Sequence, residues 1–339
     1  MSRTIDWDGR DILIIDQTRL PHEEGTLRLH RVEELAEAIT RLRVRGAPAL
    51  GVAGALGLAL AVRRAQEAGQ DIGSAVDAAA GTLAATRPTA TNLRWGINQA
   101  RELLTAGPEA VVQRAVQLLE ADVAINRALA QRGADLLGER EADLGRSLRL
   151  LTHCNTGSLA CVEWGTALGI IRAAHERGGV ADVLVTETRP LLQGARLTTW
   201  ELERLGIPYR VVVDGAAPAL IQWGRVDAVV VGADRVAANG DVANKIGTFS
   251  LALAARHAAI PFIVAAPEST LDPATATGLD IPIEERPEDE ILSVNGHRVA
   301  PAGARALNPA FDVTPAGLIT AIVTERRVIR PALGEGVVG

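Results

Sequence analysis

Between residues 148 and 265, short apolar, β-rich runs alternate with helical patterns, and this alternation restricts the fold more than any other feature. The runs lie at 148–152, 183–186, 209–213, 228–231 and 262–265; the helical patterns lie at 158–177, 195–204, 215–223 and 243–258. Near-continuous apolar strands are those covered on both faces. Strands of that kind, each followed by a helix, build a parallel sheet clothed by helices. Aromatic residues make up only 3% of the chain, so its core must be assembled from Ala, Val, Leu and Ile.

The first part of the chain has a different texture. Residues 11–30 hold two apolar pieces (ILIID, TLRLH) around a Pro-His-Glu-Glu-Gly turn, the pattern of a small antiparallel sheet. From 31 to about 137 the periodicity is helical. Val32, Leu35, Ile39 and Leu42 form one stripe, and Val112, Val116, Leu119 and Val123 form another, opened by Pro108. The apolar run 47–62 falls short of the ~18 residues a membrane span needs and is interrupted by Gly51, Gly54 and Gly57. It reads as a buried helix with a small-residue face. The class is therefore α/β. An N-terminal, mostly helical domain with a small antiparallel sheet (1–140) precedes a C-terminal Rossmann-like domain with a parallel sheet (141–339).

A formal net charge of -6 and the absence of any Lys/Arg-rich run exclude an ordinary nucleic-acid or anionic-membrane binder. Two cysteines, Cys154 and Cys161, make no disulfide framework and fit a cytoplasmic protein. The first ten residues carry acids and no apolar core, so they do not read as a secretory signal. The histidines are scattered without metal-ligand spacing, and no phosphate-binding GxxxxGK[ST] loop occurs. The GxGxxG at 334–339 has no helix after it and is not a dinucleotide fingerprint. No metal and no cofactor is expected.

In an open α/β sheet, ligands bind beyond the carboxyl ends of the strands. The run 148–152 leads into His153-Cys154-Asn155-Thr156-Gly157-Ser158, 183–186 into Glu187-Thr188-Arg189-Pro190-Leu191-Leu192-Gln193, and 228–231 into Gly232-Ala233-Asp234. Cys154, between a strand and a helix start, would gain thiolate character from the helix dipole and lose it to an apolar surround. The alternative for it, and the better reading of Cys161, is an inert buried thiol. Asp234, after four apolar residues, fits a desolvated carboxyl kept protonated to serve as an acid, or a loop cap. Asn244 and Lys245 read as the opening of the helix 243–258, where amides and an ammonium would cradle phosphate, or as an ordinary helix start. Arg45, before Gly46-Ala47-Pro48, and Arg87, in Arg87-Pro88-Thr89, fit forked phosphate donors or plain surface arginines.

Together these segments resemble the methylthioribose-1-phosphate isomerases of methionine salvage. The resemblance runs through RVRGAPALGVAGA, RPTATNLRW, LLTHCNTGSLA, ETRPLLQGARLTTWEL, VVVGADRVAANGDVANKIGTFSLALAA, PFIVAAPESTLD, IPIEERPEDE and NPAFDVTPAGLITAI, in order along nearly the whole chain. It implies an aldose–ketose isomerisation of a small phosphorylated sugar, without metal or nucleotide, in a homodimer. It also implies a catalytic pair, Cys154 and Asp234, with substrate contacts from Arg45, Gly46, Ala47, Arg87, Gln193, Asn244 and Lys245. One stretch departs from the pattern: Cys161-Val162-Glu163-Trp164 bears on the packing behind Cys154. Ribose-1,5-bisphosphate isomerase is the enzymatic alternative. A sensing role is the other, through a weaker likeness to the regulatory subunits of the eukaryotic translation initiation nucleotide-exchange factor.

Overall fold

The computed structural model describes residues 3–294 and 296–337. The chain opens with a three-stranded antiparallel sheet, β1 (Ile5–Trp7), β2 (Ile12–Ile15) and β3 (Thr26–Leu29). Sequence pattern marks only the second and third strands, because β1 is three residues long and begins a charged segment. Helices α1 (Val32–Thr40), α2 (Ala47–Ala68), α3 (Ile72–Thr86), α4 (Thr91–Arg101) and α5 (Pro108–Leu144) follow. Pro108 occupies the first turn of α5, where its missing N–H leaves no bond unmade.

Helix α2 runs past the apolar stretch to 22 residues, and its most apolar window is 78% buried inside the protein. It is the central core helix of this half, surrounded by the sheet and by α1, α3, α4 and α5. Glycine permits this. A Cβ on Gly96 of α4 would stand 1.8 Å from the Gly51 carbonyl oxygen of α2, and one on Gly54 would meet the Leu93 carbonyl at 2.7 Å.

The second half's main sheet is built from β4 (Leu148–Thr152), β5 (Val180–Thr186), β6 (Tyr209–Val212), β7 (Ala228–Val231), β10 (Phe262–Ala265), β15 (Ala321–Val323) and β16 (Val328–Ile329). These seven strands stand in the order β16-β15-β10-β7-β4-β5-β6. All neighbours are parallel except the β15–β16 pair. Helices α6 (Ala167–Glu176), α7 (Thr199–Leu205), α8 (Ala217–Gln222) and α9 (Thr248–His257) lie between the strands in sequence. Apolar residues of the sheet and these helices form two further buried clusters. After β4 the chain adds β5 and β6 on one side, then crosses back to place β7 on the other. The carboxyl ends of β4 and β7 therefore flank the point where the strand order reverses, the place where such sheets bind ligands.

A second sheet stands beside this point. Its strands are β8 (Arg235–Ala237), β9 (Val242–Lys245), β11 (Leu271–Asp272) and β14 (Phe311–Thr314), in the order β11-β8-β9-β14. A hairpin, β12 (Ser293–Val294) with β13 (His297–Arg298), follows a short helix, α10 (Asp289–Leu292). The helix expected over 243–258 is corrected here: its first residues are strand β9, paired with β8 and β14, and α9 begins at Thr248. Residue 140 falls within α5, which continues unbroken to Leu144. Of the GxGxxG stretch, Gly334 lies in a left-handed turn after a 3-10 turn, and 338–339 lie outside the described residues.

Candidate active site

Cys154, Asp234, Arg45, Gly46, Ala47, Arg87, Gln193, Asn244 and Lys245 all line one cavity beyond the ends of β4 and β7. Topology brings the thiol and the carboxyl there, one from each central strand. The helical half contributes Arg45, Gly46 and Ala47 from the start of α2, and Arg87 from the end of α3.

Cys154 is 9% exposed and adopts a left-handed backbone conformation, φ 62°. Its N–H donates to the Thr188 hydroxyl at 2.9 Å, and its carbonyl accepts from the Thr198 hydroxyl at 2.6 Å. Burial pushes its thiol upward, while the cations of Lys245 and Arg45 pull the other way and Asp234 adds to the rise. The helix dipole expected to lower it does not act: α6 starts only at Ala167, and a 3-10 turn, Ser158–Ala160, comes between. Cys161 is fully buried and directs its thiol at the Asn126 amide oxygen, 3.4 Å away. Glu163 pairs with Arg3 at 2.8 Å, and Trp164 lies under the Arg172 guanidinium at 3.9 Å, so this departing stretch is absorbed in packing.

Asp234 follows β7 through Gly232-Ala233, and its N–H donates to the Ala243 carbonyl at 2.9 Å. Burial raises its carboxyl above the ordinary range, against Lys245, Arg87 and Arg45. The protonated form is thus favoured, as an acid needs.

Arg45 is no surface residue. It is 9% exposed, and its Nε donates to Gln17 Oε1 at 3.0 Å while Nη1 donates to the Asn155 carbonyl at 2.9 Å; Nη2 reaches Asn155 Oδ1. Gly46 caps α2 with φ 101°, and a Cβ there would stand 2.5 Å from the Ala160 backbone. Both the conformation and the space demand glycine. Gln193 is buried, and its Oε1 lacks a partner among the described residues, an acceptor free for a ligand hydroxyl. Asn244 donates to the Thr248 hydroxyl at 2.9 Å. Lys245 donates to the Ala310 carbonyl at 3.0 Å and lies over the Phe311 ring at 4.7 Å. Both come from strand β9 and not from a helix start. The Gly247 and Phe249 amides at the start of α9 are already taken by the Asp312 carboxylate, at 2.7 and 3.1 Å. They are not a phosphate cradle. The helix start that lines the cavity is that of α2, through Gly46, Ala47 and Pro48.

Sequence reading missed Arg286, Glu284, Leu191 and Phe311. Arg286, Leu191 and Phe311 line the cavity. Glu284 binds Arg87 Nη2 at 2.9 Å and Arg286 Nη1 at 2.9 Å, and Arg286 is also paired with Glu290 at 2.5 Å. The charged block that holds them is visible in the sequence, but nothing local says that it lies across the end of α3, 197 residues earlier. Among the described residues, no group of His, Cys, Asp and Glu converges to hold a metal ion.

Residues 43–331 match the Initiation factor 2 subunit family. The methylthioribose-1-phosphate isomerase of Pelotomaculum thermopropionicum is 48% identical over 99% of this chain and 93% of its own. A probable bifunctional methylthioribose-1-phosphate isomerase/methylthioribulose-1-phosphate dehydratase of Nocardia farcinica is 51% identical over 96% of this chain, which spans 59% of that longer relative. The crystal structure of 5-methylthioribose 1-phosphate isomerase from Pyrococcus horikoshii superposes with a TM-score of 0.87 at 40% identity, covering 98% of this chain and 93% of that one. A structure described as translation initiation factor eIF-2B, subunit delta, from A. fulgidus gives 0.83 at 43% identity, covering 98% and 96%. The chain belongs to the Initiation factor 2 subunit family, among its methylthioribose-1-phosphate isomerases.

Proposed function

We propose that this chain converts 5-methylthioribose 1-phosphate into 5-methylthioribulose 1-phosphate, with Cys154 and Asp234 as the working pair. The observation that carries the reading is the meeting of a buried thiol and a buried, raised carboxyl in one cavity with two cations that neutral groups hold. Of the cations lining it, Arg45 and Lys245 form no ion pair with a carboxylate among the described residues, whereas Arg87 and Arg286 do. Arg45, Lys245 and the first amides of α2 hold the phosphate, with Arg87 at its edge. Asn244 and Gln193 serve the sugar hydroxyls. Binding energy from the phosphate then orients the reacting carbons.

The substrate's anomeric carbon bears the phosphate, so the ring cannot open by itself to a free aldehyde. Asp234 in its protonated form donates to the ring oxygen as the ring opens, then handles the proton at O2. Cys154 takes the C2 proton and returns it to C1. A hydride shift from C2 to C1 is the second reading, favoured by the upward push on the thiol, because it requires no thiolate.

Ribose 1,5-bisphosphate fits less well. A second phosphate needs a second set of free cations, and Glu284 and Glu290 already neutralise Arg87 and Arg286. The adjoining recess is lined by Leu50, Ile281, Pro282 and Phe311 as well as by Arg87, Asp234 and Arg235, and its apolar side suits a methylthio group.

Substrate deuterated at C2, turned over in ordinary water, tests the chemistry. Loss of deuterium to solvent supports proton transfer through Cys154, and full retention at C1 supports the hydride shift. Cys154→Ser and Asp234→Asn should each lose at least ~100-fold in kcat while staying folded, the scale of a lost general acid or base. Near-normal turnover in either variant removes that residue from the scheme.

A further inference from the structure

Cys154 holds a conformation that side chains other than glycine rarely adopt, so its surroundings must impose it. The neighbouring residue is fixed by a buried carboxylate outside the cavity. Glu201 of α7 is 1% exposed, and its Oε1 accepts from the Asn155 amide at 2.7 Å. Its Oε2 accepts from the Ser158 N–H at 2.6 Å and from the Ser158 hydroxyl at 2.7 Å. The other end of the Asn155 amide receives Arg45 Nη2. The fit is close, since a Cβ on Gly157 would stand 2.3 Å from Glu201 Oε1.

We propose that Glu201 is a positioning residue: its carboxylate clamps Asn155 and Ser158, fixing the turn that presents Cys154 and aiming the Arg45 guanidinium into the cavity. The proposal rests on the roles given above to Cys154 and Arg45. A carboxylate suits the place because donors converge on both of its oxygens and it needs to give none back. Burying it is expensive, and neutral packing would stabilise the fold as well. What packing would not supply is a single rigid link between the thiol's turn and the phosphate-facing arginine. A glutamine there sets one NH2 against another donor, either the Asn155 amide or the Ser158 N–H. The exchange Glu201→Gln with Asn155→Asp removes that conflict, at the cost of the bond that the Asn155 amide gives the Thr198 hydroxyl at 3.1 Å. The new amide at position 201 then donates to position 155 and still accepts from Ser158, and position 155 still accepts from Arg45.

The test compares wild type, Glu201→Gln and the Glu201→Gln/Asn155→Asp double variant in three measurements. These are kcat and KM for 5-methylthioribose 1-phosphate, the rate of iodoacetamide alkylation at Cys154 against pH (mass spectrometry, with buried Cys161 as internal reference), and melting temperature. In Glu201→Gln, kcat is expected to fall at least ~10-fold, as small misplacements of reacting groups do. KM should rise, and the Cys154 alkylation profile should change while Cys161 stays protected. The double variant is expected to regain part of the lost kcat, while KM stays raised because the carboxylate at position 155 now pairs with Arg45. An unchanged Cys154 profile and kcat in Glu201→Gln overturn the proposal, as does a double variant that folds like wild type yet regains none of the lost kcat. Should Glu201→Gln fail to fold, the double variant alone decides. If wild type leaves this sugar unchanged, the functional reading fails, and the alkylation comparison still decides whether Glu201 sets the thiol's turn.

Discussion

Asp122 shows at the level of one residue what burial does in this protein. It sits in α5, accepts the Val162 N–H at 2.7 Å and, among the described residues, forms no ion pair, so burial raises its carboxyl to about 7. Its folded value lies above that of an unfolded chain. The fold therefore holds an extra proton between about pH 4 and pH 7, and loses this contribution as pH rises through that window. Asp122→Asn keeps an acceptor for Val162 and removes the titration. It should melt with wild type near pH 4.5 and a few degrees above it at pH 8, by thermal scans at both values. Equal melting at pH 8 would show that Asp122 is not held uncharged. The same cause acts on Cys154 and Asp234, whose shifts rise by burial and are restrained by Lys245 and Arg45. These two cations offset part of the effect of burial at both groups.

Among the elements, α2 and α4 fit against each other closely. Gly96→Ala must push its Cβ out of the Gly51 carbonyl, so the helices have to part. The expected cost is about 1–3 kcal/mol of stability, the range for overpacking a close contact, read by urea denaturation. An unchanged midpoint would mean that α4 is free to shift. Sequence pattern identifies some elements well and others not at all, for physical reasons. β4, β7 and β10 are buried on both faces and read as apolar runs, so their predicted and observed bounds coincide. β9 reads as a helix start because Asn244 and Lys245 are polar and Gly247 and Thr248 follow. Pairing with β8 on one side and with β14, drawn from some seventy residues later, on the other makes it a strand. The site divides in the same way. Cys154 and Asp234 follow from the strand order, which is local in sequence. Arg286 and Phe311 do not, because their place in the cavity depends on contacts far along the chain.

For the whole molecule, α5 is the structural tie. Its first half contributes Val111, Val112, Ala115, Leu118 and Leu119 to the helical core, and its second half gives Leu129, Ala130, Ala134 and Leu137 to the sheet's core. The cavity is completed from both halves, and Arg45 is anchored on Asn155 across them. Unfolding followed by far-UV circular dichroism and by tryptophan fluorescence should give coincident transitions, since neither core keeps its lining without α5. Two separated transitions would contradict this. What the completed cavity does is measured most directly by proton and phosphorus NMR. The purified protein is mixed with 5-methylthioribose 1-phosphate, beside ribose 1,5-bisphosphate, with no metal or nucleotide added. The predicted result is that 5-methylthioribulose 1-phosphate appears and the bisphosphate is left largely unchanged. Turnover of the bisphosphate alone, or of neither sugar, would contradict it.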